Sequence, residues 1–108
     1  MPREIAPAQL AERLRSGLPT LLVDVREDWE REIAKIAGDV HIPMAEVVQR
    51  GTEFRPPEGG VTIIYCHAGV RSMRVADFIE QSGIPEMHSL AGGIEAWSWE
   101  VDPKLPRY

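Results

Sequence analysis

One cysteine, Cys66, stands in this chain, and its surroundings set out a chemistry. The β-prone run Val61-Thr-Ile-Ile-Tyr65 leads straight into it, and five residues beyond it stand Arg71 and then Ser72. Apolar residues at helical spacing follow (Val75, Ala76, Phe78, Ile79), with charges at Arg74, Asp77 and Glu80 between them. The pattern predicts a strand, a tight loop and a helix, with the thiol at the positive end of a helix dipole. Backbone N–H groups from His67, Ala68, Gly69, Val70, Arg71 and Ser72 would turn inward and form an anion-binding concavity. Such a setting favours the thiolate, which is the nucleophilic form. Gly69 suits a backbone that needs an unusual φ or a close approach to a ligand. Arg71 adds a permanent cation at the mouth, where it would hold the anionic end of a substrate or, alternatively, pair with a carboxylate and brace the loop. The bland alternative for Cys66 is a buried thiol acting as a small hydrophobe; its place between strand and Gly-containing loop argues for the nucleophile.

The elements that must position this loop follow from the rest of the pattern. Ile5 belongs to a first short strand, Pro7 opens a helix with Leu10, Ala11 and Leu14 on its apolar stripe, and Gly17 ends it. Leu21-Leu-Val-Asp-Val25 is a nearly continuous apolar run, as expected of a strand covered on both faces. A helix from Asp28 to about Ile36, a short strand at Val40-His-Ile42 and a helix from Met44 to Gln49 come next. Gly51 to Gly60, rich in Gly and Pro, reads as loop. Met87-His-Ser-Leu90 is the last strand, and Ala91-Gly-Gly93 turns into a helix carrying Ile94, Ala96 and Trp97. A tail from about residue 100 is expected to be extended. Strands alternating with helices give an α/β fold with a mainly parallel sheet of about five strands, flanked by helices on both faces. Ligands of such sheets bind beyond the carboxyl ends of the strands. Asp24-Val-Arg26, Cys66–Ser72 and Ala91–Gly93 should therefore converge.

Four segments of the chain resemble the rhodanese-like domain family: Leu-Val-Asp-Val-Arg-Glu (22–27), His-Ile-Pro (41–43), Cys-His-Ala-Gly-Val-Arg-Ser (66–72) and Leu-Ala-Gly-Gly-Ile-Glu-Ala-Trp (90–97). The resemblance implies a single-domain sulfurtransferase spanning residues 1–108, which moves sulfur through a persulfide on Cys66. The donor would be a small anion such as thiosulfate, and the acceptor cyanide, a thiol or a protein. Cys66 aligns with the family's sulfur-accepting cysteine. The six-residue loop from Cys66 to Arg71 has the length associated with sulfurtransferases, one residue shorter than in phosphatase and arsenate-reductase relatives. Two departures bear on the donor: Ala34-Lys-Ile-Ala-Gly-Asp39 precedes the third strand where the family often has a different stretch, and Ala68 and Val70 stand where a second cation or hydroxyl can occur. The closing Asp-Pro-Lys-Leu-Pro-Arg-Tyr looks like the end of rhodanese domains attached to sulfur-carrier-activating enzymes, which brings in a sulfur-carrier protein as a possible acceptor.

Asp24 and Arg26 read as loop supports at the carboxyl edge. His67 is beside the nucleophile, but neighbours in a tight loop often point apart, so a role as base needs shown reach. His41 and His88 read as strand or core residues, and Trp29, Trp97 and Trp99 as packing anchors. With one cysteine and scattered histidines there is no zinc spacing, and the chemistry calls for no metal or organic cofactor. The 108 residues suit one domain with a core that needs no disulfide. A formal charge of −5 argues against nucleic acid as a partner. No apolar run suggests a membrane span, and a lone cysteine demands no oxidising compartment, so a cytoplasmic location is expected. Beside sulfur transfer stand three other readings: a persulfide relay to a carrier protein, a Cys-dependent phosphatase or arsenate reductase, and an interaction module that has lost its chemistry. Four residues between Cys66 and Arg71 favour sulfur over a tetrahedral oxyanion, which needs more inward N–H groups.

Overall fold

A computed structural model describes residues 2–108. In chain order the elements are β1 (Arg3–Ile5), α1 (Pro7–Arg15), β2 (Thr20–Asp24), α2 (Asp28–Ile33), β3 (Val40–His41), β4 (Val61–Tyr65), α3 (Val70–Gln81), β5 (Met87–Leu90) and α4 (Gly93–Glu100), with two 3₁₀ turns at Met44–Glu46 and Gly51–Phe54. The strands form one sheet in the order β1-β5-β4-β2-β3, and each neighbouring pair is parallel. β4 lies between β2 and β5, with Ile63 opposite Leu22 on one side and His88 on the other.

Alternation along β4 divides the interior. Ile64 and Cys66 join Val23, Phe54, Val75, Ala76 and Ile79 under α3, while Ile63 and Tyr65 join Leu10, Leu22, Leu90, Ile94 and Trp97 beneath α1 and α4. Both faces of the strand are covered, which is why its sequence reads as an unbroken apolar run. Ile63 and Ile64 are fully buried, each contributing about 2 kcal/mol or more. No described helix is long and apolar enough to cross a membrane.

The chain leaves β2 through α2 towards β3, at one edge, and leaves β4 through α3 towards β5, on the other side. These diverging connections open a crevice at the carboxyl ends of β2 and β4, the switch point where such sheets bind ligands. Local boundaries differ from the sequence expectation in places. α2 stops at Ile33, and Ala34 turns to extended backbone, because Arg26 Nη2 takes the Ala34 carbonyl at 2.6 Å. The helix expected from Met44 to Gln49 is a single 3₁₀ turn. The Gly- and Pro-rich stretch holds its own 3₁₀ turn, anchored by fully buried Phe54. Beyond α4 the tail folds back, setting Leu105 and Tyr108 against the core beneath α4.

Candidate active site

The Cys66 thiol lies at the floor of the loop that joins β4 to α3, 1% exposed. Its Sγ accepts the backbone N–H of Gly69 at 3.1 Å and of Ser72 at 3.3 Å, and Ser72 Oγ lies 3.4 Å away. Two amides and one hydroxyl therefore meet the sulfur, fewer than the full set of loop N–H groups expected from the sequence. Ser72 Oγ is fixed by the Gly69 carbonyl at 3.2 Å and by Ser89 Oγ at 2.6 Å. Ser89 on β5 is a contributor that the sequence pattern did not mark.

The loop turns its N–H groups inward because its carbonyls are held from behind. Ile94 N–H donates to the Cys66 carbonyl at 2.9 Å and Glu95 N–H to the His67 carbonyl at 3.1 Å. These are unpaired amides of the first turn of α4, used here on a neighbouring loop. The approach is close enough that only glycine fits: a Cβ on Gly93, whose φ is +62°, would lie 2.6 Å from the Cys66 carbonyl oxygen and closer still to the His67 carbonyl. Gly69 itself has φ +106°. The motif Ala91-Gly-Gly93 thus serves the cysteine loop by backbone contact.

Arg71 does not stand free at the mouth. Its two terminal nitrogens each donate at 2.8 Å to the two oxygens of Glu30, a bidentate pair. Glu30 is 2% exposed. Burial pushes its carboxyl up, but hydrogen bonds from Arg71, the Glu27 amide and Tyr108 outweigh burial and carry it down to about 2. The hydrogen bonds to Glu30 raise the Arg71 guanidinium in turn. The brace that the sequence allowed for Arg71 is the arrangement present.

Asp24 and Arg26 are both fully buried and pair at 2.9 and 3.0 Å. Arg26 also reaches Ala34 O, Glu30 O at 3.4 Å and the Tyr108 hydroxyl at 2.8 Å, while Arg31 bridges Asp24 and Asp39. Their support reaches the cysteine loop only indirectly, through α2, Glu30 and Arg71. Tyr108 closes the arrangement. Its hydroxyl accepts from Arg26 and donates to Glu30 at 2.7 Å, and its ring stacks on His67 with centroids 4.1 Å apart. Burial, with Glu30 adding to it against Arg26, pushes its phenol up to about 12. His67 Nε2 lies 3.0 Å from Glu95, so its ring is taken up by α4 and the tail rather than offered to the sulfur. Ala68 and Val70 face outward at the rim.

Other assignments need correction. Trp97 is buried, but Trp29 and Trp99 are 54% and 62% exposed. Trp29 meets the Tyr108 ring edge-on at 5.8 Å, and Arg107 lies over Trp99 at 3.6 Å. His41 is a strand residue, as one of its two readings had it, the last of β3, and its Nε2 lies 2.6 Å from the Arg26 carbonyl with its other nitrogen 3.5 Å from Asp28. It helps to line a cavity of about 400 Å³ beside Arg71, with Glu27, Asp28, Met44 and Glu46. Sequence reasoning gave neither Glu30 nor the Tyr108 hydroxyl a place in the site. A carboxylate in the first turn of α2, at the same carboxyl edge as Arg71, was the one available signal.

Fold and site together define a class: a parallel α/β domain with a cysteine cradled in the loop between strand and helix, at the carboxyl edge. The rhodanese-like domain model matches residues 6–100, and the chain belongs to the rhodanese-like domain family. It is 36% identical over 90 residues to the rhodanese-like/PpiC domain-containing protein 12, chloroplastic, of Arabidopsis thaliana, covering 81% of this chain and 30% of that protein. It is 31% identical over 104 residues to the probable adenylyltransferase/sulfurtransferase MoeZ of Mycobacterium tuberculosis, covering 96% of this chain and 26% of that protein. The chain thus spans under a third of either. With the putative sulfurtransferase YtwF of Bacillus subtilis it shares 32% identity over 102 residues, 94% of this chain and 96% of the relative. Among solved structures, a rhodanese-like domain protein from Staphylococcus aureus superposes with a TM-score of 0.80 at 29% identity, covering 98% of each chain.

Proposed function

We propose that this protein is a sulfurtransferase that carries sulfane sulfur as a persulfide on Cys66. The observation that carries the reading is the cradle: Sγ held by the amides of Gly69 and Ser72 and by the Ser72 hydroxyl, at the carboxyl edge of the sheet. The relatives named as sulfurtransferases support it. In the first half-reaction the Cys66 thiolate attacks the outer sulfur of a donor R–S–S. The donor's S–S bond breaks, its electron pair leaves with R–S⁻ (sulfite, when the donor is thiosulfate), and Cys66 holds a persulfide. In the second, an acceptor nucleophile attacks the terminal sulfur, the new S–S bond breaks and the Cys66 thiolate returns. Covalent transfer of this kind gives ping-pong kinetics.

The Gly69 and Ser72 amides stabilise negative charge on sulfur before and after transfer, as preorganised donors, while the Ser72 hydroxyl donates to the Gly69 carbonyl and so holds the loop that carries them. Ala68, Val70 and the backbone of His67 and Arg71 form the rim past which the donor enters. Arg71 and Glu30 fix the shape of that rim, with Asp24 and Arg26 behind them. Residues 1–108 act as one domain, and a lone thiol that must be kept reduced suits the cytoplasm. Relatives named as a putative sulfur carrier protein and as adenylyltransferase/sulfurtransferases support a sulfur-carrier protein as one acceptor. The test is turnover of thiosulfate or an organic persulfide with cyanide, followed as thiocyanate. The wild type should turn over with parallel double-reciprocal lines, and Cys66→Ala should be inactive but folded. Turnover retained in Cys66→Ala would defeat the covalent route.

A further inference from the structure

The charges at the mouth of the cradle bear on which donor it accepts. Arg71, the cation that ends the loop, is paired on both terminal nitrogens with Glu30. The neighbouring cavity of about 400 Å³ carries the carboxylates of Glu27, Asp28 and Glu46. Arg50 also lines it, but its guanidinium is shared between Glu46 and Glu53, each at 2.8 Å. Ala68 and Val70, on the rim, add no charge. Carboxylates therefore outnumber guanidinium groups around this cavity, on a chain whose formal charge is −5. A dianion entering that cavity meets net repulsion, damped by solvent because Glu27, Asp28 and Glu46 are exposed. An ammonium group placed in the cavity meets Glu27 and Asp28, and Glu46 where it is already shared with Arg50.

We infer that the cavity beside Arg71 selects the persulfide of an aminothiol, such as an amino acid or peptide thiol with a free ammonium group, over a dianionic donor such as thiosulfate. Glu30 is the residue that sets this choice, by neutralising Arg71. The inference rests on the persulfide reading above and names its donor class. The step is Cys66–S⁻ + R–S–SH → Cys66–S–SH + R–S⁻: the donor's S–S bond breaks, its electron pair stays with the departing thiolate, and the outer sulfur keeps its proton.

The test compares kcat/KM for three donors at low ionic strength: cysteine persulfide, the persulfide of 3-mercaptopropionate, which lacks the ammonium, and thiosulfate. The expected order is cysteine persulfide first and thiosulfate last, with thiosulfate use rising as potassium chloride screens the repulsion. The double variant Asp28→Asn/Glu46→Gln alters two exposed side chains and so keeps the fold. It should narrow the gap between the two persulfides and raise thiosulfate kcat/KM roughly fivefold, the scale of removing two screened charges facing a dianion. Glu30→Gln should raise thiosulfate use further, by uncovering Arg71. Preference of the wild type for thiosulfate, a thiosulfate rate that falls with salt, or gaps that Asp28→Asn/Glu46→Gln leaves in place would overturn the inference while sparing the persulfide reading. If Cys66 gains no sulfur from any of the three donors by intact mass, that reading falls and the inference with it.

Discussion

Gly93 is the position where one methyl group should do the most damage to the site without touching the thiol. At φ +62° an alanine pays about 1 kcal/mol for the left-handed conformation. Its Cβ would lie 2.6 Å from the Cys66 carbonyl oxygen and against the His67 carbonyl, both backbone atoms that cannot swing aside. To reach ordinary contact the cysteine loop must retreat by the better part of an ångström. That retreat stretches the hydrogen bonds from Ile94 N–H and Glu95 N–H that hold those carbonyls, at about 1 kcal/mol each. The sum is roughly 3 kcal/mol of stability, and a displacement of about 1 Å in the nucleophile's cradle costs on the order of 100-fold in rate. Gly17→Ala is the control: φ is +70°, yet nothing lies within 4 Å of the added Cβ, so about 1 kcal/mol should be lost and sulfur transfer kept. Urea unfolding and single-turnover sulfur loading read the two effects separately. Equal stability losses in both variants, with Gly93→Ala loading at the wild-type rate, would refute the reasoning that α4 sets the loop by backbone contact.

Three further outcomes follow from the buried network. Because the Glu30 carboxyl is carried from 4.5 down to about 2 in the folded protein, its contribution is complete above about pH 4.5 and is lost as pH falls towards 2. That amounts to about 3 kcal/mol, and Glu30→Gln should flatten this acid limb in denaturant titrations; an unchanged limb refutes it. Arg71→Ala leaves Glu30 as a buried unpaired charge and should cost about 3 kcal/mol or more. Arg71→Ala/Glu30→Gln should recover part of that, and strict additivity in urea unfolding would deny the pair. Tyr108→Phe removes the hydroxyl that bridges Arg26 and Glu30 and should cost about 1–3 kcal/mol, an effect absent if the tail is loose.

The cysteine loop and the parallel sheet were legible because they rest on local and periodic signals. A β-prone run, a glycine and a helical stripe fix the setting of Cys66, and uninterrupted apolar strands announce coverage on both faces. What escaped depends on partners distant in sequence. Glu30 and Tyr108 are 78 residues apart yet share a hydrogen bond, and nothing near either one indicates it. Arg71 could hold a substrate or a carboxylate on sequence grounds, and only the position of α2 decides for Glu30. Phe54 hid in a Gly- and Pro-rich stretch, although it is fully buried and its carbonyl takes the Thr62 hydroxyl at 2.7 Å. Trp29 and Trp99 illustrate the converse: large aromatic rings suggest core, but here they lie outside it beside Tyr108 and Arg107.

The central claim is that Cys66 itself carries the sulfur, and intact-mass spectrometry addresses it directly. The protein is incubated with an excess of cysteine persulfide, freed of donor, and weighed before and after cyanide. The account predicts the gain of one sulfur atom, its location on the peptide that holds Cys66, and its loss to cyanide with thiocyanate formed in equal amount. Transfer to cyanide while Cys66 stays unmodified, or is blocked by prior alkylation, would contradict it.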